Sequence, residues 1–240
     1  MPLRDTDSDW RKIGGEQPFW GVLSGDRYRT ENITDTALDD FYSSGHSDIE
    51  LVVQRITRML GNWPTPRKAL DFGCGVGRLA FAMAHHAGEV IGYDVSLGML
   101  QKAKARGDAA VVFTSDWPTF GFDWINSYIV FQHIDPARGI SLLENLLRLL
   151  NPGGLISLHF TIYRDAELED ARPTSRLLEA VAAMLGRRPA APIGAVSMFD
   201  YDLDKIFRAI TRSGIDETTM FHVDHEGHHG VQLIGRRGLS

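Results

Sequence analysis

Three glycines that alternate with other residues, Gly73, Gly75 and Gly77, constrain this chain more than any other feature. They follow the largely apolar run at residues 69–72 and precede an amphipathic stretch, which indicates a strand, a tight turn and the start of a helix. Glycine is needed where the backbone takes a positive φ or passes close to a ligand, and a helix start leaves N–H groups unpaired. This turn therefore predicts a site for a nucleotide-like ligand.

An acid after the next strand strengthens that interpretation. Residues 89–93 have the composition of a second buried strand, and Asp94 follows them directly. In nucleotide-binding α/β units, an acid at this position accepts hydrogen bonds from both ribose hydroxyls. Dinucleotide dehydrogenases space their glycines G-x-G-x-x-G, whereas Arg78 stands here where the last glycine would be. The spacing therefore argues against a dinucleotide.

The chain resembles the class I S-adenosylmethionine-dependent methyltransferases over residues 68–236. Motifs typical of that family occur in the right order. They are the glycine turn at 69–77, the ribose segment at 90–96, the third-strand end at 114–117, the fourth-strand motif at 130–134 and the turn at 150–154. The resemblance implies S-adenosyl-L-methionine as cofactor and S-adenosyl-L-homocysteine as product.

The resemblance also implies which residues hold the cofactor. Asp116 would meet the adenine amino group, while Asp71 either reaches the cofactor's own amino group through water or fixes the glycine turn. Trp117 either stacks on the adenine or belongs to the core. The complete expected set is Asp71, Gly73, Cys74, Gly75, Gly77, Arg78, Asp94, Val95, Met99, Ser115, Asp116, Trp117, Phe131 and Gln132.

Composition narrows the class of partner. Lys and Arg number 25 against 31 Asp and Glu, a formal net charge of −6. Long nucleic acids need a cationic surface, and the basic residues here form only short pairs, so we expect no nucleic-acid partner. Cys74 is the single cysteine, which excludes an intramolecular disulfide and favours a reducing compartment.

Hydropathy sets the expected location. No apolar run reaches the length of a transmembrane helix, and the first residues lack the apolar core of a secretion signal. We therefore expect a cytoplasmic protein without membrane contact, either a monomer or a homodimer.

Strand-like and helix-like segments alternate after residue 67, which predicts an α/β fold with a doubly wound, mostly parallel sheet. Expected strands lie near 68–72, 89–94, 110–115, 123–130, 155–162, 217–224 and 231–236, and expected helices near 77–87, 97–106, 136–150 and 200–212. The resemblance implies a Rossmann-like sheet of seven strands whose last strand is antiparallel. An insertion at 164–199, with a helix at 174–186, would form a lid or a dimer surface.

The residues before the sheet predict a separate part of the fold. We expect residues 1–66 to form an amino-terminal cap and a first packing helix, and residues 67–240 to form the Rossmann-like domain. The first 45 residues are too rich in aromatics for a disordered tail. Ser47 to Glu50 match a capping box, which predicts a helix from there to Gly61.

Polar residues at the carboxyl ends of the strands are candidates for the chemistry, because ligands of open α/β sheets lie there. His133 either removes a proton from an alcohol, phenol or ammonium group or bonds to the backbone and shapes the cofactor pocket. The expected residues for binding the methyl acceptor are Trp20, Tyr28, His159, Tyr163 and His225. No resident metal is predicted.

The pentapeptide at 225–229 matches the zinc-protease pattern H-E-x-x-H. That pattern needs a helix to bring both imidazoles to one face, whereas here a glycine lies between two strand-like segments and predicts a hairpin turn. A histidine of this turn either is solvated, or lines the acceptor pocket, or binds a metal with His133 or His159.

These features together predict methyl transfer to oxygen or nitrogen of a small molecule, with natural-product tailoring as one consistent setting. Residues 131–134 read FQHI where an Asp/Asn-Pro-Pro-Tyr/Phe motif would indicate methylation of an adenine or glutamine amino group. The alternatives are an NAD(P)-dependent oxidoreductase and a protein that binds S-adenosylmethionine without catalysis.

Overall fold

A seven-stranded sheet organises the computed structural model, which describes residues 6–119, 121–166 and 197–239. The strands are β1 (Lys68–Phe72), β2 (Glu89–Tyr93), β3 (Val111–Thr114), β4 (Phe122–Ser127), β5 (Leu150–Arg164), β6 (Ile215–His225) and β7 (His228–Arg237). Their order is β3-β2-β1-β4-β5-β7-β6. Strands β1 to β5 pair in parallel, and β7 is antiparallel to both β5 and β6, which confirms the predicted fold class.

Helices cover both faces of this sheet. They are α1 (Thr6–Glu16), α2 (Pro18–Val22), α3 (Asp35–Leu60), α4 (Arg78–Met83), α5 (Leu97–Arg106), α6 (Pro136–Arg148) and α7 (Leu203–Arg212), with 3-10 turns at Asp26–Tyr28 and Phe131–His133. Alternate residues of a strand enter opposite cores. Trp124 packs with the helices α1 to α5, whereas its neighbour Ile125 packs with α6 and α7.

The third helix corrects one prediction. We expected a helix start at the capping box of Ser47, but α3 begins at Asp35, and the hydroxyl of Thr34 accepts the N–H of Ala37 at 3.2 Å. The helix continues through Gly45 because this glycine packs directly on the backbone of Arg78 in α4, where any larger residue would collide. Gly45 thus serves helix packing instead of ending a helix.

Helix α1 lies across the carboxyl ends of the strands. Gly14 packs on the side chains of Ser96 and Met99, and Gly98 of α5 packs on the backbone of Gly14. At the other end, the guanidinium of Arg138 in α6 holds the carboxylate of Asp7 with two hydrogen bonds of 2.6 and 2.7 Å. The amino-terminal helix therefore bridges two helices that follow different strands.

The predicted boundary between residues 66 and 67 stays a prediction. The predicted helix at 174–186, and the insertion around it except for its first and last residues, lie outside the described residues. Among the helices that are described, none combines the length and the apolar composition needed to cross a membrane.

Candidate active site

A cavity of about 410 Å³ lies beyond the carboxyl ends of β1, β2 and β4. Segments far apart in the sequence form its walls. Lining residues come from the ends of β1 and β2 (Asp71, Gly73, Tyr93, Asp94), from the turn after β4 (Val130, Gln132, His133), from the β6–β7 hairpin (Glu226, His228) and from the amino-terminal helices (Asp7, Trp10, Trp20). Part of the predicted site residues therefore meet in one cavity beyond the carboxyl ends of the strands.

The glycine turn forms the floor of this cavity. Gly73, Gly75 and Gly77 have φ values of +77°, +53° and +85°, a backbone region that other residues enter at a cost. A Cβ atom on Gly73 would also collide with Val130 of the cavity wall. The turn is closed by the N–H groups of Gly73 and Cys74, which donate to the carbonyl of Tyr93 at 2.8 and 3.0 Å. Only glycine keeps this surface open to a ligand.

Asp94 connects the ends of the first two strands. Its Oδ2 accepts the N–H of Gly75 at 2.9 Å and its Oδ1 accepts the N–H of Ser96 at 2.8 Å. Burial raises the pKa of this carboxyl above its usual value, while the two N–H groups oppose that rise. Each oxygen retains a second lone pair, so the predicted contact with ribose hydroxyls is compatible with this turn-stabilising role.

Asp71 supplies an unpaired anionic atom. Its Oδ1 accepts the side-chain amide of Asn126 at 3.0 Å, but its buried Oδ2 has no hydrogen-bond partner among the described residues. Burial raises the pKa of this carboxyl to about 6, although Asn126 and Arg78 both oppose the rise. An orphaned carboxylate oxygen at the cavity wall fits the ammonium group of S-adenosylmethionine, and the glycine turn fits its adenosyl half. Asn126 is a supporting residue that the sequence analysis missed.

The cavity includes part of the predicted cofactor set. The members that line it are Asp71, Gly73, Cys74, Arg78, Asp94, Val95, Met99 and Gln132. The others are Gly75, Gly77, Ser115, Asp116, Trp117 and Phe131, which are not among the residues that line the described cavity. Trp117 packs edge-on against Tyr93, with ring centroids 5.5 Å apart. Roles for these six in cofactor binding stay predictions.

His133 lines the cavity in a fixed orientation. Its Nδ1–H donates to the carbonyl of Ser197 at 3.3 Å, which leaves Nε2 as the acceptor atom. The amide of Gln132 lies 3.3 Å from that Nε2, and the hydroxyl of Thr161 donates to the amide oxygen of Gln132 at 2.7 Å. Burial lowers the pKa of His133 to about 4. His133 is therefore a neutral imidazole whose acceptor nitrogen already has a partner.

The residues predicted to bind the acceptor have different surroundings. Trp20 lines the cavity, whereas Tyr28 packs edge-on against Phe41 in the core. Tyr163 is 52% exposed and stacks on His229. These positions place Tyr28 and Tyr163 away from the described cavity wall.

His159 and His225 lie together behind the cavity. The imidazole of His159 is fully buried, with ring contacts to Tyr128 at 5.2 Å and to His225 at 5.1 Å. In the part of the chain that the structure describes, neither ring nitrogen of His159 has a hydrogen-bond partner, and burial lowers the pKa of His159 to about 3. Its neighbour Tyr128 lines the cavity, so His159 can influence a ligand only through that wall.

The hairpin turn between β6 and β7 contributes Glu226, which the sequence analysis missed, and His228, one of the turn histidines that it left open. Glu226 and Gly227 form a two-residue turn with φ values of +53° and +82°. Glu226 and His228 line the cavity, although the prediction had selected His225. The zinc-protease pattern thus lies in a turn, and no group of three metal-binding side chains occurs within the described residues.

One feature of a dehydrogenase occurs in the chain at a place unsuited to that chemistry. Tyr201 and Lys205 have the Tyr-x-x-x-Lys spacing of one dehydrogenase class. The Tyr201 hydroxyl is buried and donates to the carbonyl of Ile134 at 2.9 Å. Lys205 is exposed, and neither residue lines the described cavity. This spacing therefore gives no support to the oxidoreductase alternative.

Comparison with known proteins agrees with this geometry. A family model described as a methyltransferase domain matches residues 69–154, which include the glycine turn, Asp94 and His133. This part of the chain is a methyltransferase domain, as the sequence predicted. The predicted enzyme class and cofactor agree with that domain.

Individual relatives of this methyltransferase cover only part of it. Trans-aconitate 2-methyltransferase from Methylobacterium radiotolerans is 36% identical over 126 residues, which are 49% of this chain and 45% of that protein. Phosphoethanolamine N-methyltransferase 1 from Zea mays is 28% identical over 163 residues, 61% of this chain and 31% of that protein. The chain thus spans about half the length, or less, of these curated relatives.

A solved structure extends the likeness over the whole fold. Magnesium protoporphyrin IX methyltransferase from Synechocystis, crystallised with S-adenosylhomocysteine, superposes with a TM-score of 0.64. The match covers 98% of this chain and all of that chain at 18% sequence identity. At this identity the likeness concerns the fold, including the amino-terminal helices.

Proposed function

We propose that this protein transfers a methyl group from S-adenosylmethionine to oxygen or nitrogen of a small molecule. The observation that carries the proposal is the continuity of the cavity. It extends from the orphaned oxygen of Asp71 and the carboxylate of Asp94 to the imidazoles of His133 and His228. A donor held at one end and an acceptor held at the other would share one space, as an in-line displacement requires.

The chain's own residues have distinct tasks in such a reaction. Asp71 would bind the ammonium group of the donor, and Asp94 would bind the ribose of the donor. The glycine turn would let the donor approach the protein backbone closely. The bound donor supplies an electrophilic methyl group on a sulfonium. Trp10 and Trp20 would exclude water, because their rings form part of the cavity wall. The volume of about 410 Å³ is within the range of pockets that bind small molecules.

A thermal-shift screen followed by a transfer assay tests this function. We expect S-adenosylhomocysteine to raise the melting temperature and NAD to leave it unchanged. Radiolabelled methyl should then move from S-adenosylmethionine to members of a small-molecule pool. Stabilisation by NAD alone would favour an oxidoreductase. Binding of S-adenosylhomocysteine without any methyl transfer would favour a non-catalytic binder. The cytoplasmic location, the tailoring role and the oligomeric state stay predictions.

A further inference from the structure

Glu226 occupies a position that suits it poorly as a turn residue. A two-residue hairpin turn of type I′ needs a positive φ at both positions, which Asn-Gly or Gly-Gly supplies at little cost. Glu226 has a φ of +53° and nevertheless lines the cavity. A long side chain kept in a disfavoured backbone region at a binding site points to a function for that side chain. Its carboxylate forms no ion pair or hydrogen bond with any described residue.

His228, the first residue after the turn, presents a free nitrogen. Its Nδ1 lies 3.2 Å from the carbonyl of His225, and because a carbonyl only accepts, Nδ1 carries the proton. Nε2 is then the lone-pair atom, and no described residue donates to it. The Nε2 of His133 is not free in this way, since the amide of Gln132 already lies beside it. Burial also favours the neutral form of His133 and so weakens it as a proton acceptor. A proton acceptor is therefore available at His228.

The positive charges at the cavity wall already have partners. Arg138 is held by Asp7, and Arg78 is held by Asp48 at 2.7 Å and by the hydroxyl of Ser44 at 3.1 Å. Within the described residues, this leaves the acceptor side with the unpaired carboxylate of Glu226 and aromatic walls. Such a surface attracts a cation and repels a carboxylate or phosphate.

We propose that the methyl acceptor is an amine, bound as its ammonium ion by the carboxylate of Glu226 and deprotonated by Nε2 of His228. This inference rests on the proposed function and names its substrate class. The acceptor nitrogen loses a proton to His228, and its lone pair then forms a bond to the donor methyl carbon. The carbon–sulfur bond breaks, and its electron pair stays on the sulfur. The histidine returns the proton to solvent.

Matched probes of one shape and different charge test the binding step. Phenethylamine, phenethyl alcohol and hydrocinnamate, each with shorter and longer homologues, are titrated by calorimetry into the protein saturated with S-adenosylhomocysteine. We expect the amines to bind more tightly than the alcohols, and the carboxylates not to bind. The Glu226→Asn variant should lose about tenfold in amine affinity, because a charge-assisted contact disappears, and should keep or gain thermal stability.

A control variant separates the local effect of the Glu226 carboxylate from the effect of the protein's overall charge. Glu217 is an exposed acid of β6, outside the described cavity wall, and Glu217→Gln removes the same charge from the same hairpin. It should leave amine binding unchanged. Tighter binding of the carboxylates, no amine binding at millimolar concentration, or equal losses in Glu226→Asn and Glu217→Gln would overturn the proposal. If S-adenosylhomocysteine itself fails to bind, the proposed function fails first.

A second experiment follows the imidazole of His228 by NMR. In NMR spectra of selectively labelled histidine, adding an amine probe should shift the resonances of His228 more than those of His133. The groups facing His228 are Glu226 and His225 of its own hairpin and His133 of the turn after β4. The Arg164 of β5, its neighbour in register, is paired with Asp200.

Transfer kinetics complete this experiment. His228→Gln should lower kcat with little change in KM and abolish the ascending limb of the pH profile, whereas His133→Gln should retain that limb. An unchanged pH profile in His228→Gln, or shifts confined to His133, would contradict a base at position 228.

Discussion

The donor side and the acceptor side of the cavity are built in different ways. Most residues of the proposed donor side come from one stretch of chain, residues 71–99, in which backbone hydrogen bonds fix the glycine turn and Asp94. The acceptor side combines α1, the turn after β4 and the β6–β7 hairpin, which lie far apart in the sequence. A donor site of this kind can be shared across a family, while an acceptor site assembled from peripheral segments can change without disturbing it.

The largest expected effect is a loss of cofactor binding from a change on the donor side alone. Gly73→Ala places a Cβ in a region with φ of +77° and against Val130, so we expect a loss of about 2–3 kcal/mol of stability and at least about a hundredfold loss of S-adenosylhomocysteine affinity. Gly61→Ala is the control, since its φ is +81° with open space around it. Calorimetry should show normal binding in the control. Equal losses in both variants would mean that strain alone matters.

A second pair of variants sharpens the boundary of the donor side. Asp94→Ala should weaken S-adenosylhomocysteine binding by about thirtyfold or more, because ribose contacts and the anchor of Gly75 disappear together. Asp116→Ala removes an exposed acid outside the described cavity wall, and we expect a change of less than about threefold. A comparable loss in Asp116→Ala would show that the adenine contact predicted from the sequence exists.

The two sides should respond to acid with opposite signs. His133 and His159 have lowered pKa values, about 4 and about 3, so the unfolded chain binds more protons below pH 6.5 and stability falls as the pH drops. Asp71 has a raised pKa, about 6, so the folded chain binds more protons at this group and its contribution to stability rises as the pH drops from 7 to 5. The histidines prevail, and we expect a net loss of about 2 kcal/mol between pH 7 and pH 5.

Urea unfolding at both pH values measures this balance. His159→Phe should remove most of the net loss, since the phenyl ring fills the space between Tyr128 and His225 without a proton site, and the contributions of His133 and Asp71 then nearly cancel. His222→Phe replaces an exposed histidine of β6 and should retain the full loss. Equal acid sensitivity in both variants would contradict the role of the buried imidazole.

The smallest expected effect concerns helix α1, whose ion pair with α6 holds it across the cavity. Asp7→Asn removes the ion pair with Arg138 but keeps the shape, so we expect dissociation of S-adenosylhomocysteine to accelerate by about threefold. Stopped-flow fluorescence of Trp10, which lies 4.8 Å from the ring of His133, measures this rate. Arg208→Gln breaks an exposed ion pair on α7 and should leave it unchanged. An identical dissociation rate in Asp7→Asn would show that the bridge does not restrict the cavity.

The same contrast explains what the sequence could predict. Strands β1 and β2 were predicted to within one residue, because continuous apolar runs, glycines and a following acid are local signals. The start of α3 was wrong because the capping-box pattern at Ser47 lies inside a helix that already begins at Asp35. The mostly parallel sheet followed from the alternation of elements, and its antiparallel last strand followed from the family resemblance.

The acceptor side was predicted less well for a physical reason. The hairpin was expected, but strands ending near 224 and starting near 231 left its turn undefined, and a shift of one residue moves a side chain to the other face. The two-residue turn at Glu226 and Gly227 settles that register and brings His228 to the cavity in place of His225. The state of His133 depends on Ser197, a partner distant in sequence.

The placement of α1 has a practical consequence for laboratory work. A label attached near Asp7 would lie beside the ion pair that ties this helix to α6. A label attached near Arg236 would lie where β7 pairs with Leu155 of β5, at the end of the parallel strands opposite the cavity. Fluorescent or affinity labels for binding assays are therefore best placed at the carboxyl end of β7.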